Sequence, residues 1–215
     1  MPNKKNSKEH GIGQYHDLDL TADVSEQLND VYSNWADSYD DDNDNKLKTV
    51  SQPNAVAMLM RHCENKQIKI LDVGCGTGIV GQHLQANGFT NFDGTDPSME
   101  MMEHARERGY ANLLQLIPSE PLPTTDNSYD ATLCVGVFTH GHLGPKGFLE
   151  LIRVTKPNGL ICFTVNEGVW KSEGFATALE QHSLAGDWEV LEMTKQDYMV
   201  NEGVRAWYVA VRVLE

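Results

Sequence analysis

Ile70-Leu71-Asp72-Val73-Gly74-Cys75-Gly76-Thr77-Gly78-Ile79 decides how this chain folds. An apolar run ends in a glycine-rich turn, and residues with helical spacing follow directly. That order places backbone N–H groups at the carboxyl edge of a sheet, where open α/β folds bind ligands. Glycine belongs where the backbone needs positive φ or must approach a ligand closely. The same stretch also satisfies a dinucleotide pattern, since Gly76, Gly78 and Gly81 form a GxGxxG. Its register argues against that reading. The first glycine of the fingerprint should end the strand, and here that residue is Gly74. Asp72 would put an anion beside a pyrophosphate, whereas a cofactor carrying a cation could use it.

Outward from this stretch, strand and helix patterns alternate. Strands are expected at residues 68–73, 91–95, 113–117, 129–137 and 159–165, with helices at 77–87, 98–108 and 146–155 between them. Such alternation implies a parallel sheet with right-handed crossovers. After a further helix near 174–184, strands at 188–193 and 204–213 are separated by too short a loop for a crossover, so they must form an antiparallel hairpin. N-terminal to the series, apolar residues Val24, Leu28, Val31, Tyr32 and Trp35 recur at helical spacing. They predict a helix over 24–38, capped by Asp23 or Thr21, and a second helix over 53–63. The acidic run Asp40-Asp41-Asp42-Asn43-Asp44 between them is expected to be a solvated loop, because its positions do not match an EF-hand. Residues 1–22 are expected to be a flexible arm, residues 23–66 two helices forming a candidate lid, and residues 67–215 the core domain.

Composition narrows the partners. Apolar residues make up 40% and charged residues 22% of the 215, ordinary for a globular chain. Thirty-one acidic against 17 basic residues give a net charge of −14, which repels a phosphate backbone and disfavours nucleic acid. No apolar run approaches membrane-spanning length, and residues 1–8 do not resemble a secretory signal. Cys63, Cys75, Cys134 and Cys162 form no CxxC pair, which fits reduced thiols in the cytoplasm and no zinc site.

A second segment, Phe92-Asp93-Gly94-Thr95-Asp96-Pro97-Ser98-Met99-Glu100-Met101-Met102, ends the expected second strand on Asp96. A carboxylate there can accept both hydroxyls of a ribose, a device shared by NAD enzymes and methyltransferases. A helix cap before Pro97 would use the same position.

Residues 71–78, together with Asp96, Ser98 and Met101, resemble the first two motifs of the class I S-adenosylmethionine-dependent methyltransferases. Residues 122–130 and 151–159 are similar to the segments that precede that family's fourth and fifth strands. Within the family, Tyr32-Ser33-Asn34-Trp35-Ala36-Asp37-Ser38-Tyr39-Asp40 and residues 136–142 resemble the Williams–Beuren syndrome region methyltransferase-like group. The resemblance implies a Rossmann-like three-layer sandwich whose mostly parallel sheet has the order 3-2-1-4-5-7-6, with strand 7 antiparallel. It also implies S-adenosyl-L-methionine as cofactor. On that basis Gly74, Cys75, Gly76 and Gly78 face the methionine part, Asp72 supports it, Asp96 takes the ribose, and Pro97 and Met101 flank the adenine. Val135 completes the set, and Trp35 and Tyr39 lie near the sulfonium end. In relatives an Asp meets the adenine amino group where this chain has Pro118, which leaves Ser119 or Glu120 to contribute.

Methyl transfer from a sulfonium needs a base only when the acceptor must lose a proton. His140, after strand four, is the candidate catalytic residue, with His142, Asn166 and Glu167 similarly placed. The pair could also hold a metal, but no third ligand is evident. The expected reaction is methylation of a small-molecule acceptor. An NAD-linked oxidoreductase and a non-catalytic cofactor-binding protein are the rival readings.

Overall fold

The computed structural model describes Gln14, residues 25–118 and residues 120–214. The expected arm, the Asp23 or Thr21 cap and Ser119 therefore lie outside the described residues, Gln14 excepted.

Seven strands form one sheet: β1 (Ile70–Val73), β2 (Phe92–Asp96), β3 (Leu113–Gln115), β4 (Tyr129–Phe138), β5 (Thr155–Asn166), β6 (Trp188–Met199) and β7 (Val204–Val213). Their order is β3-β2-β1-β4-β5-β7-β6. The strands β1 to β5 pair in parallel, with Asp72 opposite Gly94 on β2 and Leu133 on β4. β7 runs antiparallel to both β5 and β6. The expected order and hairpin are what the chain adopts. β6 continues six residues beyond its expected end at Met193, because β7 supplies it with ladder partners as far as Met199.

Helices α1 (Ser25–Asp41), α2 (Ser51–His62), α3 (Ile79–Ala86), α4 (Met99–Ala105), α5 (Gly147–Val154), α6 (Val169–Ser172) and α7 (Phe175–Ala185) complete the fold. Two apolar cores flank the sheet. On one face, Ala55, Val56, Met58 and Leu59 of α2 and Val80 and Leu84 of α3 cover Ile70, Phe92 and Leu133. On the other, Phe148, Leu151, Phe175 and Leu179 cover Leu71, Val73, Cys134 and Phe163. Phe138, Phe148, Phe163 and Trp188 lie there with ring centroids 4.9–6.2 Å apart. Each such buried ring contributes about 1.5–3 kcal/mol of burial free energy.

The acidic run is not a solvated loop. α1 continues through a π-helical turn, Asp42–Leu47, that ends where Lys48 takes a left-handed conformation at φ 53°. Asp42 and Asn43 are buried, 2% and 3% exposed. Asp42 and Asn43 can be buried there because both side chains have polar partners. Asp42 Oδ2 accepts the Trp35 indole N–H at 2.7 Å and Oδ1 meets Lys46 Nζ at 2.6 Å. Asn43 Nδ2 donates to the Tyr39 carbonyl at 2.8 Å, and Thr49 Oγ1 donates to Asn43 Oδ1 at 2.7 Å.

Candidate cofactor site

The carboxyl ends of β1, β2 and β4 meet at the glycine loop. Gly74, Gly76 and Gly78 have φ values of +72°, +53° and +90°. Gly74 N and Cys75 N both donate to the Thr95 carbonyl, at 2.8 and 2.9 Å, which ties the loop to β2. A Cβ on Gly74 would lie 2.3 Å from Val137 Cγ2, so a glycine is required twice over, by φ and by space. Replacing Gly74 with alanine is expected to cost about 1–2 kcal/mol from φ alone, with the Val137 clash added to it. A lowered melting temperature together with weaker cofactor binding would register that loss. An unchanged melting temperature would show that the turn can relax. Gly76 differs from Gly74, because the space where its Cβ would stand is open.

Asp96 closes the other side. Its Oδ2 accepts the Gly76 N–H at 2.8 Å and its Oδ1 accepts the Ser98 N–H at 2.9 Å. The cap of α4 is Ser98, whose Oγ accepts the Met101 N–H at 3.1 Å, and not Asp96. Burial lifts the Asp96 carboxyl to about 6, against the lowering effect of those two N–H bonds. Asp72 is fully buried on β1, and burial raises it to about 7. Its Oδ2 accepts the Tyr110 hydroxyl at 2.6 Å, while its Oδ1 is buried with no hydrogen-bond partner. A solitary buried acceptor is costly unless a ligand supplies the donor. The orphaned Asp72 oxygen and the open crest at Gly76 therefore fit a cofactor that carries an ammonium group. The Cys75 thiol, buried beside both acids, is pushed well up by burial and by their charges.

Around this centre, Met101 is buried at 1% exposure, Val135 at 7%, and Pro97 is half-buried with its carbonyl 3.4 Å from Gln115 Nε2. Trp35 and Tyr39 share one face of α1, with centroids 4.8 Å apart at 71°. Their helix is tied to the loop at Asp40, whose Oδ1 accepts from Thr77 Oγ1 at 2.6 Å and whose Oδ2 pairs with Arg108. Further along, Ser33 donates to Glu100 at 2.9 Å. Asp40, Thr77, Arg108, Val137 and Tyr110 were not among the residues expected from sequence. Only the small residues at Gly81 and Gly94, beside which Tyr110 fits, carried a local hint of any of them.

His140 is exposed at the end of β4, with its ring against the Gly168 turn. No bond joins it to the cofactor-site residues among those described. His142 is half-buried, its ring 5.5 Å from Tyr32, and its Nδ1 donates to the His140 carbonyl at 2.9 Å. Burial lowers the His142 pKa. Asn166 and Glu167 are engaged locally. Asn166 accepts from Gly168 N at 2.8 Å, and Glu167 meets Lys195 at 2.6 Å and the Arg205 N–H at 2.9 Å. Among the described residues no three His, Cys, Asp or Glu side chains gather as a metal site.

The sheet order, the antiparallel seventh strand and the glycine loop define a Rossmann-like class I methyltransferase. Residues 71–163 match the family model of the methyltransferase domain. The human methyltransferase-like protein 27 is 34% identical over 176 residues, covering 79% of this chain and 71% of that protein. An S-adenosylmethionine-dependent methyltransferase from Thermotoga maritima superimposes with a TM-score of 0.60 at 18% identity, over 86% of this chain and 98% of its own. Another, from Methanosarcina mazei, gives 0.59 at 17%, over 73% and 97%. The chain belongs to the S-adenosylmethionine-dependent methyltransferases, in the family of methyltransferase-like protein 27. Its cofactor is S-adenosylmethionine, which sets aside the NAD reading.

Proposed function

We propose that the chain methylates a small-molecule acceptor in the cytoplasm, under a lid made by its N-terminal helices. The observation that carries this reading is the Asp40 junction, which holds α1 across the glycine loop through Thr77 and Arg108. An acceptor reaching a loop so covered must be small or must present a slender end. The net charge of −14 disfavours nucleic acid, and no described helix is long and apolar enough to cross a membrane. Four free cysteines are in keeping with a reducing compartment.

When bound, S-adenosylmethionine supplies an already activated sulfonium methyl. The chain's part is to hold, orient and keep water away. Asp72 Oδ1 would receive the cofactor's ammonium, and Gly74, Cys75, Gly76 and Gly78 would line its methionine part. Asp96 would accept the ribose hydroxyls, with Pro97, Met101 and Val135 beside the adenine. Trp35 and Tyr39 would close the sulfonium end, where ring faces attract a cation by about 0.5–2 kcal/mol.

His140 is the group at the acceptor rim able to take a proton or orient the nucleophile. A turnover screen against small amines, phenols, thiols and carboxylates tests the proposal. With an acceptor in hand, His140→Ala is expected to lower kcat by about 10²–10⁴-fold if it is a base, while cofactor affinity stays nearly intact. Unchanged turnover would return His140 to a structural role. Cofactor binding without transfer to any acceptor would favour the non-catalytic reading.

A further inference from the structure

Tyr110 packs its ring against one apolar core and carries a hydroxyl engaged on two sides. It follows Gly109 on the turn after α4, and its ring stacks edge-on against Phe92 with centroids 5.0 Å apart. The ring occupies space left by glycines on three segments. A Cβ would meet it at 2.4 Å from Gly81, 2.8 Å from Gly94 and 2.9 Å from Gly78. Packing of that kind delivers the hydroxyl to one spot, between Gly81 N at 3.0 Å and Asp72 Oδ2 at 2.6 Å. Because the phenol oxygen accepts from Gly81, its single proton is committed to Asp72. One carboxyl oxygen is thereby clamped, and the other, Oδ1, is left buried without a partner.

We propose that Tyr110 is a positioning residue that holds Asp72 ready, in its charged form, for the ammonium group of S-adenosylmethionine. The inference rests on the reading of Asp72 as the ammonium acceptor. Burial opposes the charge on Asp72 and the nearby Asp96 adds to that opposition, whereas the Tyr110 bond favours it. The other titratable groups in its surroundings are the Cys75 thiol of the loop and the Cys134 thiol of β4. Both are pushed well up and so are neutral. The Tyr110 phenol is raised as well, so it stays a donor throughout the neutral range. With the Asp72 carboxyl titrating near 7, binding of a cation converts the neutral fraction to carboxylate and releases that proton to solvent.

The experiment is calorimetric titration of the full chain with S-adenosylhomocysteine from about pH 6 to about pH 9. It compares Tyr110→Phe and Asp72→Asn with the unaltered chain. Taking the ratio of dissociation constants at each pH cancels the titration of the ligand's own amine. Removing the hydroxyl keeps the ring and removes only the bond. If this raises the Asp72 midpoint by about one pH unit, the Tyr110→Phe ratio is about nine at pH 6 and about five at pH 7. It then approaches one near pH 9. A structural role alone gives a ratio that does not change with pH, and that outcome overturns the proposal. Gly81→Ala, whose methyl would push the Tyr110 ring and with it the hydroxyl away from Asp72, should show the same pH-dependent deficit and serves if Tyr110→Phe does not fold. Asp72→Asn separates the two levels of the argument. Weak, pH-independent binding by it with a flat Tyr110→Phe ratio removes Tyr110 alone. Unimpaired binding by Asp72→Asn removes the Asp72 reading, and Tyr110 with it.

Discussion

Asp96→Ala is expected to weaken S-adenosylhomocysteine binding by about tenfold to several hundredfold. An ionised carboxylate offers about four acceptor positions. Two are already used, by the N–H groups of Gly76 and Ser98. The remaining positions suit a pair of neighbouring hydroxyls, and charge-assisted bonds of that kind are worth about 1.5–3 kcal/mol each. Alanine would remove those acceptors and also release Gly76 N–H, so the loop loses its tie to β2 at the crest. Affinity should in addition decline as the pH drops through about 6, because protonation converts an acceptor into a donor. Calorimetry on a variant with wild-type circular dichroism measures both effects. Equal affinity in a folded Asp96→Ala chain would exclude this carboxylate from the cofactor site.

Removing α1 is the second large perturbation. A chain starting at residue 46 is expected to fold and yet bind cofactor more weakly by about tenfold or more. Folding should survive because neither apolar core contains a residue of α1. Leu47 and Thr49 are retained, and they hold the remaining segment to β6 and the following turn through Asn201 and Met199. The loss falls instead on Thr77 and Arg108, which no longer meet Asp40, and on the Trp35–Tyr39 face. In the full chain, Trp35 emission should change on cofactor addition, after subtraction of a Trp35→Phe control for Trp170, Trp188 and Trp207. Equal affinity in the shortened chain would mean that the segment is not a lid.

The sheet and the loop were legible because their signals are local. Apolar runs at β1, β4 and β5 and the glycines after β1 need only neighbouring residues to be understood. The burial of Asp42 was hidden, since the Lys46 charge and the Trp35 N–H that satisfy it come from one and two helical turns away. Asp40 was hidden more deeply, because its partners Thr77 and Arg108 lie 37 and 68 residues further on. Tyr110 shows the same limit from the other side. Its place is defined by absent side chains at Gly78, Gly81 and Gly94, and no periodicity in the sequence signals a vacancy shared by three segments.

The sheet order also constrains assembly. β7 follows β6 in the chain but lies inside it, between β5 and β6. Among the described strands β6 pairs only with β7, apart from one isolated bridge at Thr49, so it has no sheet to join until β7 has been made. Joined by a short turn, the two form a local ribbon whose β7 side docks on the exposed side of β5. The half that carries the cofactor loop, β1 to β5, can associate before that event. Docking of the ribbon is then a late, long-range step, the kind that slows folding and leaves an unpaired strand edge on β5 open to misassociation while it waits.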